Sequence, residues 1–356
     1  MPLFENKTVV ITGGTGSLGK TVVLRVLSGE LGTPKKVIVF SRDEAKQHDM
    51  RMSYLHKLVA TDEVIYRNFM SVLEFRIGDI RSYADVCSVL KNADIVVNAA
   101  ALKQVPACEY FPTQAVLTNC MGASNIVRAI RDNSYPVDTV IAISTDKACK
   151  PVNVMGMTKS IQERIITNAN ILNPNTRFIC VRYGNVLASR GSVIPLFHDQ
   201  IKNGGPITVT VPEMTRFLLS LDQAVDTVFE ALKEAEPGET YIPHVPSATV
   251  MNIARALIGD RTIDIEVTGI RPGEKMHEIL VSDEEANHCI KRGDYYAILC
   301  MLPELSNNKQ KEPNALTKEY SSADSVLDLE ETIELLKKHH LMVEDVEISN
   351  SGELLR

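Results

Sequence analysis

The first 185 residues alternate between short runs that are apolar throughout and longer runs with apolar positions at helical spacing. Residues 7–12 (KTVVIT) predict a buried strand, and Leu18, Val22, Val23 and Val26 give a helix over 18–28 one apolar face. The alternation predicts further strands at 36–40, 75–80, 95–101, 139–145 and 178–185, with helices at 43–60, 82–91, about 112–133 and 153–171. Strands that lack a polar face are buried on both sides. The pattern therefore predicts an α/β fold, a Rossmann-type doubly wound parallel sheet covered by helices.

Past residue 190 the pattern loosens. Gly191, Pro195, Gly204, Gly205, Pro206 and Pro212 interrupt it. Short strands at 207–211 and 263–267, and helices near 222–235 and 250–258, predict a smaller α/β lobe closing over the C-terminal edge of the sheet. Residues 306–317 are polar and carry Pro313, so they read as an exposed linker before a last helix over 328–340. The expected organisation is a cofactor domain over 1–185, a substrate lobe over 186–305 interleaved with it, and a linker with a C-terminal arm or helix over 306–356.

Composition narrows the class. Of 356 residues, 44% are hydrophobic and 23% charged, which excludes a fibrous or largely disordered chain. No run approaches the roughly 18 apolar residues of a membrane span, and the N-terminus lacks a basic-then-apolar leader, so a cytoplasmic protein is expected. A net charge of -7 argues against a nucleic-acid partner. Seven scattered Cys without a CxxC predict reduced thiols and no metal. His339 and His340 are adjacent on a helix and point apart.

The first strand runs into Gly13-Gly14-Thr15-Gly16-Ser17-Leu18-Gly19. At a strand-to-helix turn this spacing binds a dinucleotide: Gly13 for the turn, Gly16 for close approach of a pyrophosphate, Gly19 for helix–strand packing. The second strand ends in Phe40-Ser41-Arg42-Asp43, with Lys46 one turn on. Ser41, Arg42 and Lys46 suit a 2′-phosphate and favour NADP over NAD, with Asp43 capping the next helix. Asp79 ends the third strand, where it reaches either the adenine amino group or a helix cap. The fifth strand ends in Ser144-Thr145-Asp146-Lys147, and Met155 and Lys159 follow at i, i+4 on the next helix. Asp146-Lys147 at the C-terminal end of a sheet strand reads as chemistry rather than as a solvated turn. Cys149 in the same loop reads as a small buried filler rather than a reactive thiol.

These motifs resemble the extended short-chain dehydrogenase/reductases. Within them the chain is similar to the UDP-N-acetylglucosamine 4,6-dehydratases of surface-polysaccharide synthesis. The likeness runs through TGGTGSLG at 12–19, FSRDE at 40–44, NAAALKQVPACEYFP at 98–112, TNCMGASN at 118–125, STDKACKPVNVMGMTK at 144–159, RYGNVLASRGSVIP at 182–195, MTRF at 214–217 and GIRPGEKMHE at 269–278. The C5-inverting, capsular CapE-type subgroup also has Met where most relatives have the Tyr of Tyr-x-x-x-Lys.

The resemblance implies an NADP-dependent lyase. Hydride leaves C4, water is lost across C5–C6, and hydride returns to C6. Asp146 would be the acid at C6 and Lys147 the base at C5, provided its pKa is lowered. Thr145 would bond the C4 oxygen. Lys159 would hold the nicotinamide ribose and, with Met155 unable to take a proton, assist at C4. Cofactor contacts are implied from Thr15, Ser17, Leu18, Ile80, Ala99, Ala100, Ala101, Lys103 and Asn119. A UDP-sugar would be held by Lys103, Asn185, Val193, Arg216, Arg271 and Glu274, and Arg182 and Arg190 are further cations for its diphosphate. Tyr320-Ser321-Ser322 would belong to an arm latching onto a neighbouring subunit of a homo-oligomer, or to an exposed tail. The rivals are a UDP-sugar epimerase on the same fold and an inactive NADP-sensing regulator.

Overall fold

The computed structural model describes residues 2–55, 63–187, 192–305 and 313–345. β1 (Thr8–Thr12) is buried along its whole length. It leads into α1 (Ser17–Leu27), which buries Val22, Val23, Val26 and Leu27 against it. β2 (Lys36–Ser41), α2 (Glu44–Leu55), α3 (Glu63–Val72), β3 (Leu73–Ile77), α4 (Tyr83–Leu90) and β4 (Ile95–Asn98) follow. Next come α5 (Val105–Tyr110), α6 (Pro112–Ala115), a π-helical turn at Val116–Met121, α7 (Gly122–Asn133), β5 (Thr139–Thr145), α8 (Val154–Leu172) and β6 (Arg177–Tyr183).

The second half supplies α9 (Val193–Lys202), β7 (Ile207–Val209), β8 (Thr215–Phe217), α10 (Leu221–Glu234), β9 (Thr240–Pro243), β10 (Ser247–Thr249), α11 (Val250–Ile258) and β11 (Ile265–Val267). It ends with β12 (Ile279–Val281), α12 (Asp283–Ala286), β13 (Cys289–Arg292), β14 (Tyr295–Ile298), β15 (Tyr320–Ser321), β16 (Val326–Leu327) and α13 (Leu329–Lys338).

The main sheet has nine strands in the order β13-β14-β9-β6-β5-β4-β1-β2-β3. β3 through β9 in that order run parallel, and β14 and β13 close the far edge antiparallel. The winding reverses between β1 and β4, which opens a crevice at their C-terminal ends. One apolar layer packs α1 and α10 on one face through Val23, Val26, Val228 and Phe229. The other packs α4, α7 and α8 through Val86, Val89, Ile126, Ile130 and Ile166. The fold is thus an α/β doubly wound sheet with smaller C-terminal sheets.

Some boundaries differ from expectation. Of the helix predicted over 43–60, Glu44–Leu55 forms as α2 and 56–60 lie outside the described residues, and α3 was not anticipated. The strand predicted over 95–101 ends at Asn98. Ala99 N–H still donates to the Thr12 carbonyl, but Ala100 N–H donates to the Thr12 side-chain oxygen at 3.2 Å, which turns the chain out of the ladder.

The described part of the C-terminal segment, residues 313–345, packs on its own chain rather than trailing as an exposed tail. β15 pairs with β12, and β16 pairs with β10. α13 packs on α11, with Leu336 fully buried in the core of the lobe. Tyr320 is buried and its hydroxyl donates to the Val245 carbonyl at 3.0 Å. Of the predicted linker, residues 306–312 lie outside the described residues, and Ala315 N–H donates to the Cys289 carbonyl.

Candidate active site

The glycine loop fits a dinucleotide pyrophosphate. Gly13 has φ +66, and a Cβ there would lie 2.8 Å from the Ala100 backbone. A Cβ on Gly19 would lie 2.6 Å from the Gly13 carbonyl oxygen. Gly16 N-caps α1 with no side chain bonded to the cap, so the first backbone N–H groups of the helix face the crevice with the positive end of its dipole. Thr15 is buried, while Ser17 and Leu18 are partly buried at the start of α1. Ala99, Ala100 and Ala101 line the opposite side after β4, and Lys103 is exposed beyond them.

At the end of β2 the structure gives each cation a carboxylate. Arg42 lies 3.5 Å from Asp79, and Lys46 lies 2.9 Å from Asp43. Asp43 accepts Lys46 N–H at 3.0 Å, the expected helix cap. Asp79 caps no helix. It accepts the Arg81 guanidinium, and Ser82 caps α4. The Ser41 hydroxyl accepts Gln47 Nε2 at 3.0 Å. Ile80 is core, packed against α7 where Gly122 leaves it room.

On α8, Lys159 is buried, and its ammonium donates to the Ile143 carbonyl at 2.9 Å and to Gln162 Oε1 at 3.0 Å. Burial pushes its pKa down to about 8. Met155 is buried in an apolar cluster with Cys108 and Ala115, so it packs α8 against α5 and α6. Asn119, expected at the cofactor, is fully buried. Its amide accepts Leu102 N–H at 2.9 Å and donates to Thr158 Oγ1 at 3.0 Å, tying the loop after β4 to α8.

The turn after β5 holds the centre of the site. The Thr145 hydroxyl donates to Asp146 Oδ1 at 2.7 Å and accepts Lys147 N–H at 3.4 Å. Lys147 Nζ lies 3.1 Å from Asp146 Oδ1 and 3.2 Å from Glu278 Oε1. Asp146 Oδ2 and Glu278 Oε2 are both buried without a hydrogen-bond partner. Burial opposes the charge on Lys147, but Asp146 and Glu278 outweigh it and hold the pKa above the ordinary lysine value. The two carboxylates thus work against the lowered pKa that a Lys147 base at C5 requires. Glu278 was not singled out from the sequence, although it closes the GIRPGEKMHE motif.

Close packing sets this turn. A Cβ on Gly156 would lie 2.1 Å from the Lys147 carbonyl oxygen. Gly156→Ala is expected to push the turn aside, costing about 1–3 kcal/mol by overpacking and about a hundredfold in turnover by misplacing Lys147. Thermal melts and steady-state kinetics check both.

Asn185, Ser192, Val193 and Arg216 line one small cavity. Asn185 Oδ1 and Ser192 Oγ are buried there without partners. Arg216 is held by the carbonyls of Thr215 at 2.7 Å and Lys275 at 3.1 Å, and its Nε lies 3.9 Å from Glu278. Arg271 is exposed on a turn where its N–H donates to Glu274 Oε2 at 3.3 Å, and Gly273 adopts φ +80. Arg182 is not a diphosphate ligand. It is buried between Glu163 and Glu285, at 2.6 and 2.8 Å. Arg190 lies outside the described residues. Cys149 is buried, which pushes its thiol up to about 12, in keeping with a filler. No group of His, Cys, Asp and Glu among the described residues could hold a metal, and no described helix is long and apolar enough to cross a membrane.

Relatives share this frame along nearly its whole length. A UDP-glucose 4-epimerase of Rickettsia conorii is 42% identical over 344 residues, covering 94% of this chain and 96% of that one. Its counterpart in Rickettsia typhi is 41% identical over 345 residues, with the same coverage. Among solved structures, Pen from Bacillus thuringiensis superposes with a TM-score of 0.84 at 36% identity, over 95% of this chain and 99% of that one. The dTDP-glucose 4,6-dehydratase DesIV from Streptomyces venezuelae shares the fold, with a TM-score of 0.62 at 19% identity over 76% of this chain and 86% of that one. Residues 9–299, from the first strand past the last strand of the main sheet, match the family model described as polysaccharide biosynthesis protein, and the chain belongs to that family.

Proposed function

We propose that the protein oxidises C4 of a UDP-hexose and dehydrates the sugar across C5–C6, as a UDP-N-acetylglucosamine 4,6-dehydratase inverting C5. The observation that carries this reading is the Asp146–Lys147–Glu278 cluster at the end of β5. Exchange of hydride at C4 needs one proton acceptor, and Lys159 can supply it. Three further charged groups in contact are the equipment of a second proton-transfer centre, which loss of water requires. Lys147 is the member of the three with solvent access, so it is the one placed to exchange protons with the sugar.

The cofactor we propose is NADP. The glycine loop and the uncapped start of α1 suit its pyrophosphate. When bound there, it would supply the hydride acceptor and donor of the reaction. Lys159 holds the ribose side and takes the C4 hydroxyl proton, a role favoured by its pKa of about 8. Exposed Arg42, beside Ser41, would exchange Asp79 for the 2′-phosphate. Arg42→Ala is expected to weaken NADP binding about tenfold, the loss of one charge-assisted contact, while leaving NAD binding unchanged. Calorimetric titration with each cofactor measures the difference.

The names of the Rickettsia relatives favour a second reading, a UDP-sugar 4-epimerase. Incubation with UDP-N-acetylglucosamine or UDP-glucose, without added reductant, separates the two. Loss of one water's mass supports the dehydratase. Unchanged mass with a new sugar in the NMR spectrum supports the epimerase. No reaction would leave a regulatory protein. We also propose self-association. Exposed Tyr110, Phe111, Leu117, Met121, Met157 and Ile161 on adjoining helical segments support it, and a monomer in sedimentation velocity would oppose it.

A further inference from the structure

Glu278 sits one residue before β12 and is 3% exposed. Its side chain meets Lys147 through Oε1, while Oε2 is buried with no hydrogen-bond partner. Its backbone is held at both polar groups by one residue of the C-terminal segment. Glu278 N–H donates to Ser322 Oγ at 2.9 Å, and Ser322 N–H donates to the Glu278 carbonyl at 2.8 Å. Ser322 is itself fully buried. Its hydroxyl lies 2.7 Å from Thr215 Oγ1, and its carbonyl accepts the Ser247 hydroxyl at 2.6 Å. Thr215 adjoins Arg216, so the same clasp also fixes the strand that carries that guanidinium.

Charge explains why such a clasp matters. A lysine taken out of water tends to lose its proton unless anions face it. The charged groups facing Lys147 are Asp146 and Glu278, which keep the proton on, and Arg216, which opposes them. Asp146 is the neighbour in sequence and always present. Glu278 comes from 131 residues further along, and its place depends on the pairing of β12 with β15.

We propose that Glu278 is a positioning residue for Lys147: fastened from behind by Ser322, it holds the ammonium in place as a cation and makes the C-terminal segment a working part of the site. This rests on the reading of Asp146–Lys147 as the proton-transfer centre. Within that reading, the pair of carboxylates behind Lys147 determines how firmly its proton is kept.

Competitive labelling of the full chain with acetic anhydride, followed by peptide mass spectrometry at several pH values, titrates Lys147 directly. Glu278→Gln keeps the shape and removes the charge. It is expected to raise Lys147 labelling about tenfold below the pKa, the effect of a one-unit fall. Glu278→Asp is expected to return most of the wild-type behaviour, and Ser322→Ala to move labelling in the same direction as Glu278→Gln by a smaller factor. Wild-type labelling in Glu278→Gln overturns the proposal. Should that variant fail to fold, wild-type labelling in Ser322→Ala overturns it instead. Labelling needs no turnover, so a wild-type protein inert toward UDP-sugars would refute the dehydratase reading and leave this measurement standing. In active enzyme, Glu278→Gln is also expected to shift the pH profile of water loss, and a change confined to KM counts against the proposal.

Discussion

Lys159→Met is expected to stop UDP-sugar from reducing the bound cofactor, slowing the C4 step by about 10²–10⁴-fold, in a protein that remains folded. Met155 has no proton to exchange and is packed against Cys108 and Ala115, so nothing at that helical turn replaces the amine. The absorbance of reduced cofactor after mixing with UDP-N-acetylglucosamine reads the step, and a variant that still reduces its cofactor would refute the role. Stability should change in the opposite direction. Burial lowers the Lys159 pKa from 10.5 to about 8. Below the lower value the folded state carries a buried charge, and between the two values the unfolded chain binds more protons than the folded one. Lys159 therefore destabilises the wild type at neutral pH, and that penalty fades as pH rises from about 8 to 10.5. The difference in unfolding free energy between Lys159→Met and wild type should shrink across that window. Urea titrations of both proteins at several pH values test it.

The largest loss of stability is expected from Arg182→Met. The guanidinium spans Glu163 and Glu285, donates to the Leu280 carbonyl at 2.8 Å, and is buried with both carboxylates. Removing it strands two buried anions, which costs about 3–5 kcal/mol. Burial alone would raise the Glu285 carboxyl, and Arg182 overrides it to hold the pKa down at about 2. That depressed value stabilises the fold above the ordinary carboxyl range, and the contribution is lost as pH falls from 4.5 toward about 2. In Arg182→Met the Glu285 share of this acid-side slope should vanish. Combining Arg182→Met with Glu163→Gln and Glu285→Gln should recover much of the loss, because no charge is then left unpaired. If the single variant melts like wild type, the ion triad does not have this role.

Arg182 also shows where sequence reasoning runs out. A cation on a strand beside the site reads as a phosphate ligand, yet its charge is taken up by Glu163 on α8 and by Glu285, 103 residues away. No local pattern announces such a pairing. The glycine loop was legible because its backbone admits no side chain at Gly13 and Gly19, a constraint written in residue type. Asp146-Lys147 was legible for its place at the end of β5. The second carboxylate on Lys147 was not, because Glu278 joins Asp146 there only through the pairing of β12 with β15. Gly156 passed unnoticed because its neighbour, the Lys147 carbonyl, is a contact across a loop. α3 was missed although Val64, Ile65, Phe69 and Val72 carry helical spacing, and the boundary of β4 depended on one hydroxyl, that of Thr12.

The bonds between Glu278 and Ser322 also give the site an order of assembly during translation. A nascent chain that has cleared the ribosome through residue 305 already carries the glycine loop, Asp146, Lys147 and Lys159. It lacks Ser322, which bonds both backbone polar groups of Glu278. Completion of the Asp146–Lys147–Glu278 cluster is therefore tied to the last stretch of chain to be made.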